Sequence, residues 1–223
     1  MQEYNKGQVL RKTANYRELY FYRKSDALYQ LTVVFCRRFL PAYGDRTVDQ
    51  MVQAARSGKQ NIVEGSEAGM TSTESELKLL NVARASLQEL REDFSDYLRS
   101  HNLPVWDSNH RRSADLRRFC HDHNDYADFE PMAERLNDEE LANLCLTLCH
   151  QADRLMVAYL EKLEKSFVTE GGVKERMHAA RTGYRQGQDA YLKELETRVA
   201  LLEEENRQLK AQLQEAHGSP RKS

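Results

Sequence analysis

Proline and glycine are scarce, four and ten in 223 residues. That scarcity excludes a fold of many short strands joined by Gly/Pro turns. Cysteine is scarce too, and its four positions make no framework: Cys36 and Cys120 stand alone, while Cys145 and Cys149 are one helical turn apart. Neither a disulfide scaffold nor a zinc cluster is expected from that spacing. Leu141, Leu144 and Leu148 surround the close pair and put its thiols on an apolar helix face. No window reaches the roughly 20 apolar residues of a membrane span. Residues 1–12 are polar and charged, with no apolar stretch behind a basic cap. A cytoplasmic chain without membrane contact is expected. Also missing are a glycine-rich phosphate loop, a nucleophile elbow and a paired-His helix motif, so no catalytic residue and no cofactor is assigned.

What is present is helical periodicity. Leu28, Leu31, Phe35 and Phe39 recur at helix spacing over 27–40, until Pro41 and Gly44 break the pattern. Val48, Met51, Val52, Ala55 and Ile62 make a second stripe, with Gly65 read as its left-handed C-terminal cap and Ala54, Ser57 and Gly58 as a site of close helix approach. A third helix opens at Thr71-Ser72-Thr73, with Glu74 and Glu76 suiting its positive end, and runs to about Ser100. A fourth starts near Asn137 and carries Leu141, Leu148, Leu155 and Leu163 before Gly171-Gly172 stops it. The expected fold is all-α: an antiparallel up-down four-helix bundle over 25–170 with a C-terminal coiled-coil helix. Residues 102–136 are too long for a bundle turn and read as an insertion, with a short helix near 113–121 and the rest irregular.

After Gly172 a short basic segment, 171–190, precedes a change of period. Leu192, Val199, Asn206 and Leu213 fall at heptad position a, and Leu195, Leu202 and Leu209 at d. Arg198 then faces Glu203, and Glu205 faces Lys210, in the g-to-e′ sense of a parallel pair. Residues 191–216 are therefore expected to form a parallel coiled coil that makes the chain a homo-oligomer, with 217–223 as a tail.

Charge is uneven. Residues 1–60 hold eleven Lys/Arg against five Asp/Glu, whereas 61–170 hold twelve against 22. Within the arm, 1–24, bases interleave with Tyr16, Tyr20, Phe21 and Tyr22. Cations that meet phosphates beside rings that stack on bases are the recipe for RNA or single-stranded DNA. The candidate contacts are Arg11, Lys12, Arg17, Arg23, Lys24, Arg37 and Arg38; the competing reading is an arm packed on the bundle with solvated charges. Cys120-His121-Asp122-His123, with Asp125 and Asp128, has donor atoms suited to a transition metal, but its spacing matches no recurring site and no metal is assigned. Asn61 and Glu64 read as a polar network closing a helix.

Several runs resemble a known family: Leu31-Thr32 with Phe35, Gln50-Met51, Ala54-Ala55, Asn61-Ile62, Glu64-Gly65, Val82-Ala83, Ala85-Ser86-Leu87 and Glu89-Leu90. They are similar to the bacterial four-helix bundle proteins named after the 23S rRNA intervening sequence. Cys149-His150-Gln151, Leu163-Glu164-Lys165 and Gly171-Gly172-Val173 resemble the subgroup with a suffix domain. The resemblance spans about residues 16–185 and implies small bundles that assemble into rings without catalysis. It also implies kinship with the accessory variability determinant of diversity-generating retroelements, which binds a reverse transcriptase and nucleic acid. The function expected is an oligomeric, non-enzymatic scaffold for nucleic acid or a nucleic-acid enzyme such as a reverse transcriptase. The alternative is a protein–protein interaction module that works through its coiled coil without nucleic acid.

Overall fold

The computed structural model describes residues 15–41 and 46–218, so Arg11 and Lys12 lie outside the described residues. Among these, every regular element is helical: a 3-10 turn, Tyr16–Glu18, then α1 (Tyr20–Phe39), α2 (Arg46–Ala68), α3 (Thr73–Ser100), α4 (Ser113–Asp122), α5 (Tyr126–Ala133), α6 (Asp138–Glu170) and α7 (Val173–Gly218). The all-α expectation holds, and no described helix is long and apolar enough to cross a membrane. Contacts divide the chain after Val173, leaving α7 as a unit of its own.

Local chemistry explains most of the boundaries. Ser72 accepts from the Ser75 amide at 3.1 Å to start α3, and Asn137 accepts from the Glu140 amide at 2.8 Å while the Glu140 carboxylate accepts from the Asn137 amide at 3.1 Å. Each exchange satisfies amides that a helix start leaves unpaired. Asn102 ends α3 in the left-handed region, φ 58°, with the Leu103 amide reaching back to the Leu98 carbonyl at 2.8 Å. Asparagine is among the few residues that tolerate this conformation. Gly171, at φ 73°, ends α6 where the double glycine was expected to stop it.

Four boundaries differ from expectation. Helix α1 begins at Tyr20, not at 27; Lys24 and Ser25 occupy buried positions in its first turns and interrupt the apolar pattern that would have marked them in the sequence. Gly65 does not cap α2, which runs on to Ala68. A Cβ at Gly65 would stand 3.3 Å from the Cβ of Leu79, so this glycine serves close approach to α3. The insertion holds a second helix, α5, whose start is fixed by Asp128 accepting from the amides of Asn124 and Asp125, both at 3.1 Å. And the stretch from Val173 to Gly218 is one unbroken helix, not a short basic helix followed by a separate coil.

Helices α1, α2, α3 and α6 share one apolar core in which Phe35, Phe94, Leu87, Ile62 and Leu144 have almost no exposure. The order of cross-contacts gives the relative directions of two of the helix pairs. Between α3 and α6, Glu76 meets Tyr159, Arg84 meets Asp153 and Tyr97 meets Asp138, one number rising as the other falls. Between α2 and α3, Gly58 lies against Leu87 and Gly65 against Leu80 in the same opposed sense. A Cβ at Gly58 would fall 2.6 Å from Cδ2 of buried Leu87. Gly58→Val is therefore expected to destabilise the fold by about 1–3 kcal/mol, the range for overpacking. A lower denaturant midpoint at constant slope is the readout, and an unchanged midpoint would refute the close approach.

Candidate nucleic-acid interface

The cations proposed from sequence do not share one open face. Lys24 is 2% exposed. Its ammonium donates to the Cys120 carbonyl and, at 3.2 Å, to that of His123. These carbonyls sit at the C-terminal end of α4, where unpaired acceptors and the negative end of the helix dipole gather. Burial pushes the Lys24 ammonium down from its ordinary value, with Arg23 acting in the same direction. Arg23 donates from Nε to Asp125 at 2.6 Å, which raises the guanidinium pKa and holds the Asp125 carboxyl below its ordinary value. Arg37 pairs with Glu134, and Arg38 donates to the Ala133 carbonyl. Four cations of α1 thus clamp α4, α5 and the turn between them onto the bundle. Arg17 remains exposed, its guanidinium carbon 5.8 Å from the Tyr16 ring centre.

A different group of bases faces an open cleft of about 1090 Å³ between α1, α4, the 106–108 segment and α6. Arg117 and Arg118 come from α4, and His150, Gln151 and Arg154 come from α6. The α6 trio stands at i, i+1 and i+4, a spacing that gathers side chains on one helix face. Gln151 donates from Nε2 to the Arg117 carbonyl at 2.9 Å and so ties the two walls together, while its Oε1 is buried without a partner among the described residues. Arg118 pairs with Asp115. Arg117 and Arg154 are exposed, and among the described residues neither pairs with a carboxylate. Burial, reinforced by Arg91, pushes the His150 imidazole below its ordinary value, so the positive charge of that wall rests on arginine.

Two rings border the cleft. The Trp106 ring is already engaged: it stacks on His110 at 4.6 Å, lies 4.9 Å from the Arg112 guanidinium carbon, and donates from Nε1 to Glu139 at 2.7 Å. Tyr20 is the more exposed ring, at 56%, with the Arg23 guanidinium carbon 5.8 Å from its centre. A second hollow, between α2 and α3, has the opposite character, with Asp49, Glu89 and Asp93 beside the hydroxyls of Ser57 and Ser86. Burial and the charges of Asp96 and Glu89 raise the Asp93 carboxyl.

The remaining sequence candidates have structural partners. Cys120 is fully buried while its neighbour His121 is exposed and paired with Asp122, so the two donors do not converge. His123 stacks on Phe119 at 4.2 Å, and no group of three described His, Cys, Asp or Glu residues could hold a metal ion. Asn61 donates to the Ser57 carbonyl at 2.9 Å and to its hydroxyl at 3.2 Å, and that hydroxyl meets Ser86 at 2.9 Å, joining α2 to α3 in mid-helix rather than closing a helix end.

Helix α7, taken alone, exposes its heptad positions. Leu192 is 53% exposed, Leu195 39%, Leu202 50% and Leu213 60%, with Val199 and Leu209 similarly open. Asn206 is exposed on the same stripe and donates to the Leu202 carbonyl at 3.2 Å. No family model matches the chain, and no curated protein or solved structure matches it.

Proposed function

We propose that this chain is a non-enzymatic oligomeric scaffold. Helices α1, α2, α3 and α6 form an antiparallel four-helix bundle, and α7 joins copies of the chain through a coiled coil. The observation that carries this reading is the row of exposed leucines at heptad spacing on α7, flanked by Arg198, Glu203, Glu205 and Lys210 at positions that complement one another in a parallel pair. Each leucine gains about 1.5–3 kcal/mol when fully buried, which a lone helix forgoes. The family resemblance to ring-forming bundle proteins supports the same class of function. Light scattering on the intact chain is expected to give a multimer, and Leu202→Glu with Leu209→Glu is expected to return the monomer mass with helix content retained. A wild-type monomer at tens of micromolar would end this reading.

A second reading rests on the cleft: the scaffold holds single-stranded nucleic acid there, or the nucleic-acid partner of an enzyme it serves. Arg117 and Arg154, which pair with no carboxylate among the described residues, suit phosphates, and the exposed ring of Tyr20 suits a base. Binding of a labelled single-stranded RNA, followed by anisotropy, is expected to weaken as salt rises. Arg117→Glu with Arg154→Glu should weaken it at least tenfold at low salt, while Arg37→Gln should leave it unchanged because Arg37 is committed to Glu134. Binding that ignores both salt and the double substitution would leave α7 as the working surface, which is the interaction-module alternative.

A further inference from the structure

Because α7 is a single helix from Val173 to Gly218, its exposed face can be followed upstream of the heptads. Met177, Tyr184 and Tyr191 are 55%, 69% and 60% exposed. At about 100° per residue all three lie within roughly 40° of the mean direction of the stripe from Leu195 to Leu213. The spacing along this face is not heptad throughout. Met177, Gln188 and Val199 are eleven residues apart, as are Ala180 and Tyr191, Arg181 and Leu192, and Tyr184 and Leu195. Two 11-residue repeats, 177–187 and 188–198, therefore run without a break into the heptads that begin at Val199. An 11-residue repeat has 3.67 residues per turn and keeps a seam on one face as a heptad does, with the opposite sense of supercoil. Of the polar members of the upper seam, Gln188 donates from Nε2 to the Tyr184 hydroxyl at 2.9 Å on that same face, and Arg181, at the position equivalent to Leu192, is exposed, its long side chain able to carry its charge out to the edge of the seam.

We infer that two copies of α7 pair in parallel along the whole of 177–213, the coil passing from 11-residue to 7-residue repeats near Val199. The inference rests on the self-association reading and extends it by about four helical turns. The occupant of the upper face is a second copy of this chain. Its apolar row is collinear with that of the heptads, whose g and e′ charges, Arg198 with Glu203 and Glu205 with Lys210, are complementary only when the two helices run in the same direction and in register. In such a pair each seam residue faces its own counterpart. Small Ala180 sits between the bulkier Met177 and Tyr184, which leaves room for the larger side chains to lie across the seam. The segment read from sequence as a separate basic suffix thereby becomes the first part of the coil, with Lys174, Arg176 and Arg185 off the seam.

Single cysteines test this in the full chain, whose four native thiols are buried. Tyr184→Cys and Leu202→Cys place a thiol on the upper and lower seam, and Glu204→Cys places one on the outer face. Mild oxidation with diamide at low micromolar protein, read by non-reducing electrophoresis, is expected to convert most of the Tyr184→Cys and Leu202→Cys chains to covalent dimer. Glu204→Cys and the unsubstituted chain are expected to remain monomeric in the gel. Dimer from Leu202→Cys but not from Tyr184→Cys overturns the extension and leaves the heptad pairing standing. Failure of both overturns self-pairing itself, and equal yield from Glu204→Cys shows collision rather than a seam and overturns both. All three positions are exposed in the single chain, so loss of the bundle fold does not confuse the result.

Discussion

At pH 8 the native chain is expected to leave its four cysteines unlabelled by a thiol reagent over minutes, and the unfolded chain to react at all four. All four are free and buried. Burial pushes the thiols of Cys120 and Cys149 up to about 12, and drives Cys145 well above its ordinary 9.0, with Cys149, Cys120 and Cys36 adding to the effect. Only the thiolate reacts. Raising a pKa from 9 to 12 lowers the thiolate fraction at pH 8 by about 10³-fold before access is considered. Native labelling should thus report opening of the core, and its rate should rise steeply where denaturant begins to unfold the chain. One thiol labelled rapidly in the native protein would contradict the placement of that cysteine.

Phe35→Ala is the substitution expected to cost most in stability, about 3–5 kcal/mol. The side chain is fully buried, and its ring lies 5.1 Å from Phe94 and 4.8 Å from Tyr97, both near edge-on, and 5.3 Å from Phe39. Such pairs add about 0.5–1.5 kcal/mol each beyond their buried area. Phe35 bridges α1 to α3, so truncation removes contacts that no neighbouring side chain can restore. For a chain of this length the loss corresponds to a fall of roughly 6–20 °C in Tm. Phe35→Leu, which keeps more of the volume, should fall by less than half as much. A shift of under about 2 °C for the alanine variant would show that this cluster does not hold the helices together.

Those parts of the fold that depend on nearby residues were legible in the sequence. Ser72, Asn137 and Gly171 mark helix ends because each acts within a few residues of itself, through a cap or a positive φ. Features that depend on what arrives from elsewhere were not. A glycine that ends a helix and a glycine that admits a neighbouring helix look alike, and Gly65 proved to be the second kind. Lys24 looked like a surface cation because nothing within twenty residues of it shows the α4 carbonyls that it meets in space. The start of α1 was hidden for the same reason. The cleft draws on residues more than a hundred positions apart, from Tyr20 to Arg154, so no local spacing announces it. His150, Gln151 and Arg154 could have been found from their shared face on α6, whereas their partner Arg117 appeared only as one of an arginine cluster.

The clamp formed by Arg23, Lys24, Arg37 and Arg38 makes residues 102–136 something other than removable cargo. Excising them to recover a minimal bundle would uncover the Lys24 ammonium, take away the Cys120 and His123 carbonyls it donates to, and release three guanidinium groups from their acceptors. Four donors of the first helix would lose partners in one step, so trimming for crystallisation or for grafting has to treat that helix together with the segment. The inserted segment and the first helix form one structural unit, although about 60 residues separate them in the chain.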